Sequence, residues 1–174
     1  LLKMKGFQES KKNKEDIQVH RQLIKNFNTT WIAGTPRTGS MWTSNIVREI
    51  FKLSGYKVKP EKIFKNDKDF IQTYLDKSIP EKSSNNRYVF KVHSPLKLNL
   101  PRSKYIINIR NPYEICASFY KFMKCDLDNA IKVAKRHSDV VHYYAKMSKV
   151  NLLTIKYENI ESNAINIVKE IALF

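Results

Sequence analysis

Residues 34–40, Gly-Thr-Pro-Arg-Thr-Gly-Ser, bring two glycines, several hydroxyl side chains and one arginine together between an apolar run and a helical pattern. Gly34 and Gly39 permit the tight turn that points successive backbone N–H groups, and the start of the following helix, at one anionic group. Arg37 adds a fixed positive charge. The stretch therefore predicts a phosphate-binding loop between a strand and a helix; a glycine-containing turn without a ligand is the alternative.

This loop fits the nucleoside-triphosphate P-loop only in part. The spacing of Gly34 and Gly39 matches its first half, but Ser40 and Met41 stand where that motif requires Lys followed by Ser or Thr. A nucleotide kinase depends on ATP and Mg²⁺, and no strand end in the sequence offers a convincing acidic partner for the metal. A P-loop nucleotide kinase-like enzyme is therefore kept as an alternative function.

A second candidate anion site follows the apolar run at residues 104–109, which predicts a strand that delivers Arg110 to its carboxyl end. Pro112 suits the first turn of a helix, and Glu114 complements the helix dipole there. Ser118 lies in the same predicted helix. We expect Arg110 and Ser118 to converge on a second anion if that helix packs across the first loop.

Residues 36–42, Pro-Arg-Thr-Gly-Ser-Met-Trp, resemble the 5′-phosphosulfate loop of the sulfotransferases that use 3′-phosphoadenosine 5′-phosphosulfate (PAPS). The segment from Arg110 to Ser118, with its Arg-Asn-Pro start, resembles the 3′-phosphate motif of that family. Residues 90–95 are similar to the strand that ends in the family's catalytic histidine, and residues 152–159 to its late strand ending in Tyr-Glu-Asp. Four matches in the family's order are far more specific than any one of them.

The resemblance implies that the cofactor is PAPS, with 3′-phosphoadenosine 5′-phosphate (PAP) as its product and no metal ion. The residues implied to bind it are Arg37, Thr38, Gly39, Ser40, Met41, Trp42, Arg110, Ser118 and Tyr157. The resemblance further implies that the loop residues hold the 5′-phosphosulfate and that Arg110 with Ser118 holds the 3′-phosphate. It also implies that Trp42 stacks on the adenine ring and that Tyr157 lies near it.

The chemistry that the resemblance implies is in-line transfer of a sulfuryl group to a hydroxyl or amine of an unidentified acceptor, a small molecule or a carbohydrate. His93 is the implied general base, and a neutral imidazole suits that task near pH 7. Arg37 and Lys91 are the catalytic candidates for stabilising the charge that develops on the sulfuryl and bridging oxygens. A polar residue at a strand end, without a catalytic role, is the alternative for His93.

Strands alternate with helices along the chain, which predicts a three-layer α/β domain: a mostly parallel sheet flanked by helices, with ligands at the carboxyl ends of its strands. The resemblance makes this the P-loop-NTPase-like sulfotransferase fold. The pattern predicts strands at 29–33, 87–93, 104–109 and 150–156, and helices at 40–54, 67–77, 112–124, 127–147 and 161–172. Residues 78–87 are polar and rich in helix breakers, which predicts a surface loop.

The 174 residues suffice for a single sulfotransferase-like domain with a sizeable core, and residues 1–28 predict a basic helix or tail. In the PAPS-dependent sulfotransferases that the sequence resembles, a C-terminal segment covers the 3′-phosphate. No stretch of this sequence matches that segment, so we expect it to be absent. His137 and His142 fall on a long amphipathic helix and are interpreted as core and surface residues.

The net charge of +16 favours anionic ligands, and a nucleotide- or polyanion-binding module without turnover is the non-enzymatic alternative. No zinc finger or RNA-binding motif accompanies the charge, so we expect no specific binding to nucleic acid. The four histidines show no metal-ligand spacing. No run is apolar enough to span a membrane, which predicts a cytoplasmic enzyme; a Golgi enzyme lacking its anchor is the alternative.

Overall fold

The computed structural model of the protein describes residues 29–61, 85–95, 103–147 and 151–174. The strands in these ranges are β1 (Thr29–Ala33), β2 (Lys57–Lys59), β3 (Asn86–Val92), β4 (Ser103–Ile109) and β5 (Leu152–Lys156). The helices are α1 (Ser40–Leu53), α2 (Pro112–Met123), α3 (Leu127–Ala145) and α4 (Tyr157–Leu173). The strands form one parallel sheet with the order β2-β3-β1-β4-β5.

The central strand β1 is buried along its whole length because helices cover both faces of the sheet. On one face, Trp31 belongs to a cluster with Val140 and Tyr144 of α3. On the other face, Ile32 belongs to a cluster with Val47 of α1 and Ile167 of α4. Side chains alternate between the faces of a strand, so a strand buried on both sides needs a continuous apolar run. The three layers confirm the predicted fold class.

The carboxyl ends of neighbouring strands meet at one edge of the sheet. Ala33, the last residue of β1, is in register with Val92, the last residue of β3. Gly34 and His93 therefore leave the sheet side by side, and Arg110 follows the end of β4, which pairs with β1 on its other side. The chain order reverses at β1, and open α/β sheets bind ligands at such switch points.

Where the described residues allow a comparison, most predicted elements agree with the structure, and their ends shift by one or two residues. The sequence does not predict β2, because three residues are too few for a periodic pattern. The prediction that the last helix begins at residue 161 is wrong. It begins at Tyr157, since Lys156 is extended and Glu158 suits the first turn, and Asn163 then interrupts the helical dihedrals.

Three predictions concern residues at or beyond the limits of the described ranges. The basic helix or tail at 1–28 and the helix at 67–77 lie outside the described residues. The loop at 78–87 also lies outside them up to residue 84, and its last two positions belong to β3.

Candidate functional site

The loop between β1 and α1 is shaped by backbone conformations that residues other than glycine seldom adopt. Arg37 has a φ of 72° and Gly39 a φ of 85°, both in the left-handed region. The buried hydroxyl of Thr38 stabilises the turn by donating to the carbonyl of Thr35 at 2.8 Å. Helix α1 then starts at Ser40, and no described side chain caps its N-terminus. Such an end offers backbone N–H groups to an anion.

The two glycines of this loop stand where neighbouring atoms crowd a side chain. A Cβ on Gly34 would lie 2.7 Å from Oγ1 of Thr38. A Cβ on Gly39 would lie 3.0 Å from the ring of Tyr157 and 3.0 Å from Ile160. The loop therefore packs closely against the start of α4, which places Tyr157 beside the N-terminus of α1.

Two arginines meet beside the loop. The Nε of Arg37 donates to Oγ of Ser118 on α2 at 3.0 Å. The Nη1 of Arg110 donates to the carbonyl oxygen of Arg37 at 3.0 Å, and its Nε donates to Glu114 at 3.1 Å. The guanidinium carbon of Arg110 lies 3.8 Å from the ring centroid of Tyr157. The segments of the two predicted anion sites are thus in contact, although Ser118 bonds to Arg37 where the sequence pairs it with Arg110.

Helix α2 begins as the sequence predicts, with Pro112 in its first turn and the side chain of Asn111 accepting a hydrogen bond from the N–H of Tyr113 at 2.9 Å. This start fixes the face that α2 turns toward the loop. Ser118 and Phe122 are four residues apart and share a helix face. Accordingly, the ring centroid of Phe122 lies 4.3 Å from the guanidinium carbon of Arg37.

The other end of the site is built by the edge of β1 and β3. The Nδ1 of His93 lies 2.6 Å from the carbonyl oxygen of Gly34. A carbonyl oxygen only accepts hydrogen bonds, so Nδ1 carries the proton and Nε2 presents a lone pair. The Nζ of Lys91 lies 3.1 Å from this Nε2 and donates to it. Lys91 and His93 are two residues apart on an extended chain, which puts both side chains on one side.

These groups line one cleft of about 500 Å³. Its wall consists of Pro36, Arg37, Gly39, Ser40, Met41, Trp42, Lys91, His93, Arg110, Phe119, Phe122, Met123 and Tyr157. Among the residues that the sequence singles out, Thr38 and Ser118 are not in this wall. Thr38 belongs to the loop but is fully buried, and Ser118 contacts the side chain of Arg37. Trp42 lines the cleft and also packs against the core on the α1 side of the sheet.

A second cleft of about 420 Å³ lies between α2 and α3. Its wall consists of Phe119, Met123, Cys125, Asn129, Lys132, Val133 and Arg136. Phe119 and Met123 belong to both walls, so the two clefts adjoin. The sequence does not predict this cleft, because it depends on how two helices pack.

Two buried polar residues beneath the site are not among the predicted site residues. Asn108, fully buried near the end of β4, donates its amide to Oγ1 of Thr43 on α1 at 2.8 Å. His137 of α3 is 3% exposed, and its Nδ1 lies 3.0 Å from Oγ1 of Thr35. The Nε2 of His137 accepts from the backbone N–H of Arg110 at 3.3 Å. The sequence signal for His137 is a histidine on the apolar stripe of a helix.

Burial lowers the pKa of His137 from its ordinary value of 6.5, because the interior disfavours the charged imidazolium. The hydrogen bond from the N–H of Arg110 has the same consequence, since Nε2 can accept it only while unprotonated. His137 is therefore a neutral link between the loop and the end of β4.

Within the described residues, no group of three His, Cys, Asp or Glu side chains is placed to hold a metal ion. Of the helices in these ranges, none combines the length and the apolar composition that crossing a bilayer requires. Cys116 and Cys125 are free thiols, each half-buried.

The sequence matches one known domain family over most of its length. The family model described as the sulfotransferase domain matches residues 27–174. A search of curated proteins finds no match.

Solved structures share the fold at low sequence identity. Retinol dehydratase, crystallised with androsterone and the inactive cofactor PAP, gives a TM-score of 0.54 at 17% identity, with 83% of this chain and 58% of that chain covered. The sulfotransferase domain of the Synechococcus PCC 7002 olefin synthase gives 0.54 at 14% identity, with 84% and 72% covered. The sulfotransferase domain from the curacin biosynthetic pathway gives 0.52 at 14% identity, with 83% and 72% covered. The chain thus spans less than two thirds of retinol dehydratase.

Proposed function

The chain belongs to the sulfotransferase domain family, and from this premise we propose that it transfers a sulfuryl group from PAPS to a hydroxyl or amine of an acceptor. The observation that carries the proposal is the arrangement of one cleft. The side chains of Arg37 and Arg110 approach it from two different segments, and the Nε2 of His93, which accepts from Lys91, faces it just after the end of β3. This arrangement suits a donor with two anionic groups and an acceptor that must lose a proton.

The loop and the N-terminus of α1 are proposed to hold the 5′-phosphosulfate. Gly39 and Ser40 supply backbone N–H groups at the helix end, Thr38 fixes the turn from below, and Arg37 adds its charge. Ser118 orients the guanidinium of Arg37 through the hydrogen bond to its Nε. Met41 lies on the exposed side of α1 in the same wall and contributes apolar contact.

Arg110 is proposed to bind the 3′-phosphate. Its guanidinium is already oriented by three contacts, to the carbonyl of Arg37, to Glu114 and to the ring of Tyr157. A planar guanidinium held in this way binds phosphate oxygens with little further loss of side-chain freedom. Trp42 is proposed to stack on the adenine ring, with Tyr157 beside it. PAP is the cofactor named for the bound retinol dehydratase structures, which supports the same choice here.

His93 is the proposed general base. The acceptor oxygen or nitrogen attacks sulfur as the bond from sulfur to the bridging phosphate oxygen breaks. The electron pair of that bond leaves with PAP, and the acceptor proton moves to Nε2 of His93. Since Nε2 accepts from Lys91 in this structure, the acceptor takes the place of that contact. The ammonium of Lys91 then stands beside the reaction as a stabilising charge, as Arg37 does on the donor side.

The acceptor is proposed to be a small molecule or a carbohydrate that approaches His93 from the side of α2. The adjoining cleft between α2 and α3 extends the apolar wall of Phe119 and Met123 and adds the cations Lys132 and Arg136. An acceptor with an acidic group is therefore favoured, in keeping with the net charge of +16.

The test measures the release of PAP from PAPS in the presence of hydroxyl and amine acceptors, both neutral and acidic. Anion-exchange chromatography separates PAP from PAPS and quantifies it. We expect PAP to accumulate only when an acceptor is present and in proportion to the sulfated product. The His93→Ala variant is the control for background hydrolysis. Tight binding of PAP without transfer to any acceptor would contradict the enzymatic proposal and favour a non-catalytic nucleotide-binding module.

A further inference from the structure

His137 connects the two segments that are proposed to bind the anionic groups of the cofactor, and it does so from beneath the cleft. It is 3% exposed, and it lies on α3, which packs on the face of the sheet opposite to α1. Its two ring nitrogens contact two different segments, the hydroxyl of Thr35 in the loop and the backbone N–H of Arg110 after β4. The loop residue is 102 positions away in the sequence.

The direction of each hydrogen bond follows from chemistry. A backbone N–H only donates, so the Nε2 of His137 accepts from Arg110 and the ring proton sits on Nδ1. Nδ1 then donates to the hydroxyl oxygen of Thr35. The carbonyl of Thr35 in turn accepts from the hydroxyl of Thr38, which is fully buried. Two separate groups of Thr35, its carbonyl and its hydroxyl, thus bond to Thr38 and to His137, and His137 links this part of the loop to the backbone of Arg110.

We propose that His137 is a positioning residue that holds the phosphate loop and Arg110 at one fixed separation, so that a single ligand with two anionic groups is bound at both ends. The inference rests on the proposed function, since PAPS and PAP are ligands of that kind. It goes beyond that function because His137 does not line the cleft and belongs to none of the motifs that the family resemblance covers. A bivalent ligand gains affinity when its two sites are held at a matching distance.

A second contact between the same two segments limits how much the affinity for PAP should fall when His137 is lost. The Nη1 of Arg110 donates to the carbonyl of Arg37, which also joins the two segments. That contact and the bond from the N–H of Arg110 to His137 are both part-buried, whereas the bond between His137 and Thr35 is buried. A hydrogen bond in a buried network defines a distance more rigidly than one at the surface. We therefore expect loss of His137 to loosen the spacing and to leave both anion-binding segments in place.

The test compares three ligands, PAP, adenosine 5′-phosphate and adenosine 3′-phosphate, by calorimetry on the whole chain. His137→Phe keeps an aromatic ring at the site, though a larger one, and removes both hydrogen bonds. We expect it to raise the Kd of PAP by roughly ten-fold, because one net hydrogen bond changes affinity by a few-fold to ten-fold. This increase should exceed the product of the increases for the two monophosphates, because only PAP contacts both anion-binding segments at once. His137→Gln retains an acceptor for Arg110 and should recover part of the loss. His142→Phe removes an exposed histidine of α3 and should change none of the three.

Equal weakening of all three ligands by His137→Phe, or no weakening of PAP, would overturn the inference and make His137 a packing residue. If His137→Phe does not fold, the same comparison with His137→Gln decides, together with ¹⁵N chemical shifts of the wild-type ring. The expected signature is a neutral imidazole protonated at Nδ1; protonation at Nε2 overturns the link to Arg110. Failure of the wild type to prefer PAP over adenosine 5′-phosphate is a different result. It overturns the proposed cofactor and the bivalent ligand named here, while the ring signature tests the hydrogen bonds without any ligand.

Discussion

The cleft has two ends that are built in different ways. At the histidine end, Lys91 and His93 come from one stretch of chain, and the carbonyl of Gly34, the residue after β1, orients the ring. At the anion end, Arg37 and Arg110 are held by side chains or backbone of α2, α4 and the loop. One end is a short piece of sheet edge, and the other is assembled from distant segments.

From this difference we expect cofactor binding and turnover to be separable in this site. The histidine end offers a proton acceptor and one cation, and its residues are not those of the guanidinium pair proposed to bind anions. The anion end offers charge and fixed geometry but no described group suited to take a proton near pH 7. Changes at the first end should therefore alter mainly the rate of transfer, and loss of Arg110 at the second end should alter mainly the affinity for the cofactor. Loss of Arg37, which is proposed to act in both, should alter both.

The largest expected effect is at the histidine end. His93→Ala removes the proton acceptor, so we expect kcat for sulfuryl transfer to fall by roughly 10²- to 10⁴-fold, the usual contribution of general base catalysis. The Kd of PAP should change by less than about two-fold, because no contact of the anion end is lost. Steady-state kinetics and calorimetry measure the two quantities. A variant that keeps its kcat would remove the base role, and one that loses PAP binding would break the separation of the ends.

At the anion end, Arg110→Ala removes a guanidinium held by three contacts. A charge-assisted hydrogen bond contributes about 1.5–3 kcal/mol, so we expect the Kd of PAP to rise by about 10- to 150-fold. The Kd of adenosine 5′-phosphate should change little, because that ligand has no 3′-phosphate. Arg136→Ala is the matched control, since it removes the same charge from the adjoining cleft. Equal losses for both nucleotides would contradict the assignment of Arg110.

A smaller effect is expected for two glycine substitutions, whose effects on stability distinguish backbone strain from side-chain contact at the loop. Gly39 and Gly55 have similar left-handed φ values of 85° and 82°, but a Cβ would meet Tyr157 at the first and nothing within 4 Å at the second. We expect Gly55→Ala to lower the free energy of unfolding by about 1–2 kcal/mol through strain alone. Gly39→Ala should cost more than that and should also weaken PAP binding.

Urea unfolding and calorimetry of the two glycine variants give the comparison. Equal loss of stability in both, with unchanged PAP binding in both, would mean that the loop can move away from α4. The close packing of Gly39 against Tyr157 would then not define the anion end.

The smallest effect concerns the neutral histidine beneath the anion end. Burial lowers the folded-state pKa of His137, so between that pKa and 6.5 the unfolded state binds more protons than the folded state. The free energy of unfolding should therefore fall as the pH drops below 6.5, by at most about 1.4 kcal/mol per pH unit from this residue. His137→Gln should flatten that dependence, and the exposed His142→Gln should not. Identical profiles for wild type and His137→Gln would show that His137 does not control this dependence.

The sequence predicts the local parts of this molecule well. The strand–loop–helix around Gly34 and Gly39, the start of α2 at Pro112 and the pair Lys91 and His93 are each encoded within a few neighbouring residues, and the structure has them in those places. Their roles in cofactor binding and catalysis stay predictions.

The parts that the sequence does not predict depend on packing between distant segments. Ser118 bonds to Arg37 across 81 positions, and His137 bonds to Thr35 across 102 positions. An amphipathic pattern places His137 on the buried face of α3, but it cannot say which segments meet that face once α3 packs on the sheet. The start of α4 at Tyr157 is missed for a related reason, since a Tyr-Glu-Asn stretch is compatible with a loop as well as a helix.

The most direct test of the central claim is calorimetric titration of the wild-type protein with PAP, beside adenosine 5′-phosphate and ATP, each with and without Mg²⁺. The cleft with its two guanidinium groups predicts tight binding of PAP that does not require the metal, and clearly weaker binding of adenosine 5′-phosphate. Preference for ATP with Mg²⁺ would contradict the account and move the protein to the nucleotide kinases. Equal affinity for PAP and adenosine 5′-phosphate would contradict the role given to Arg110.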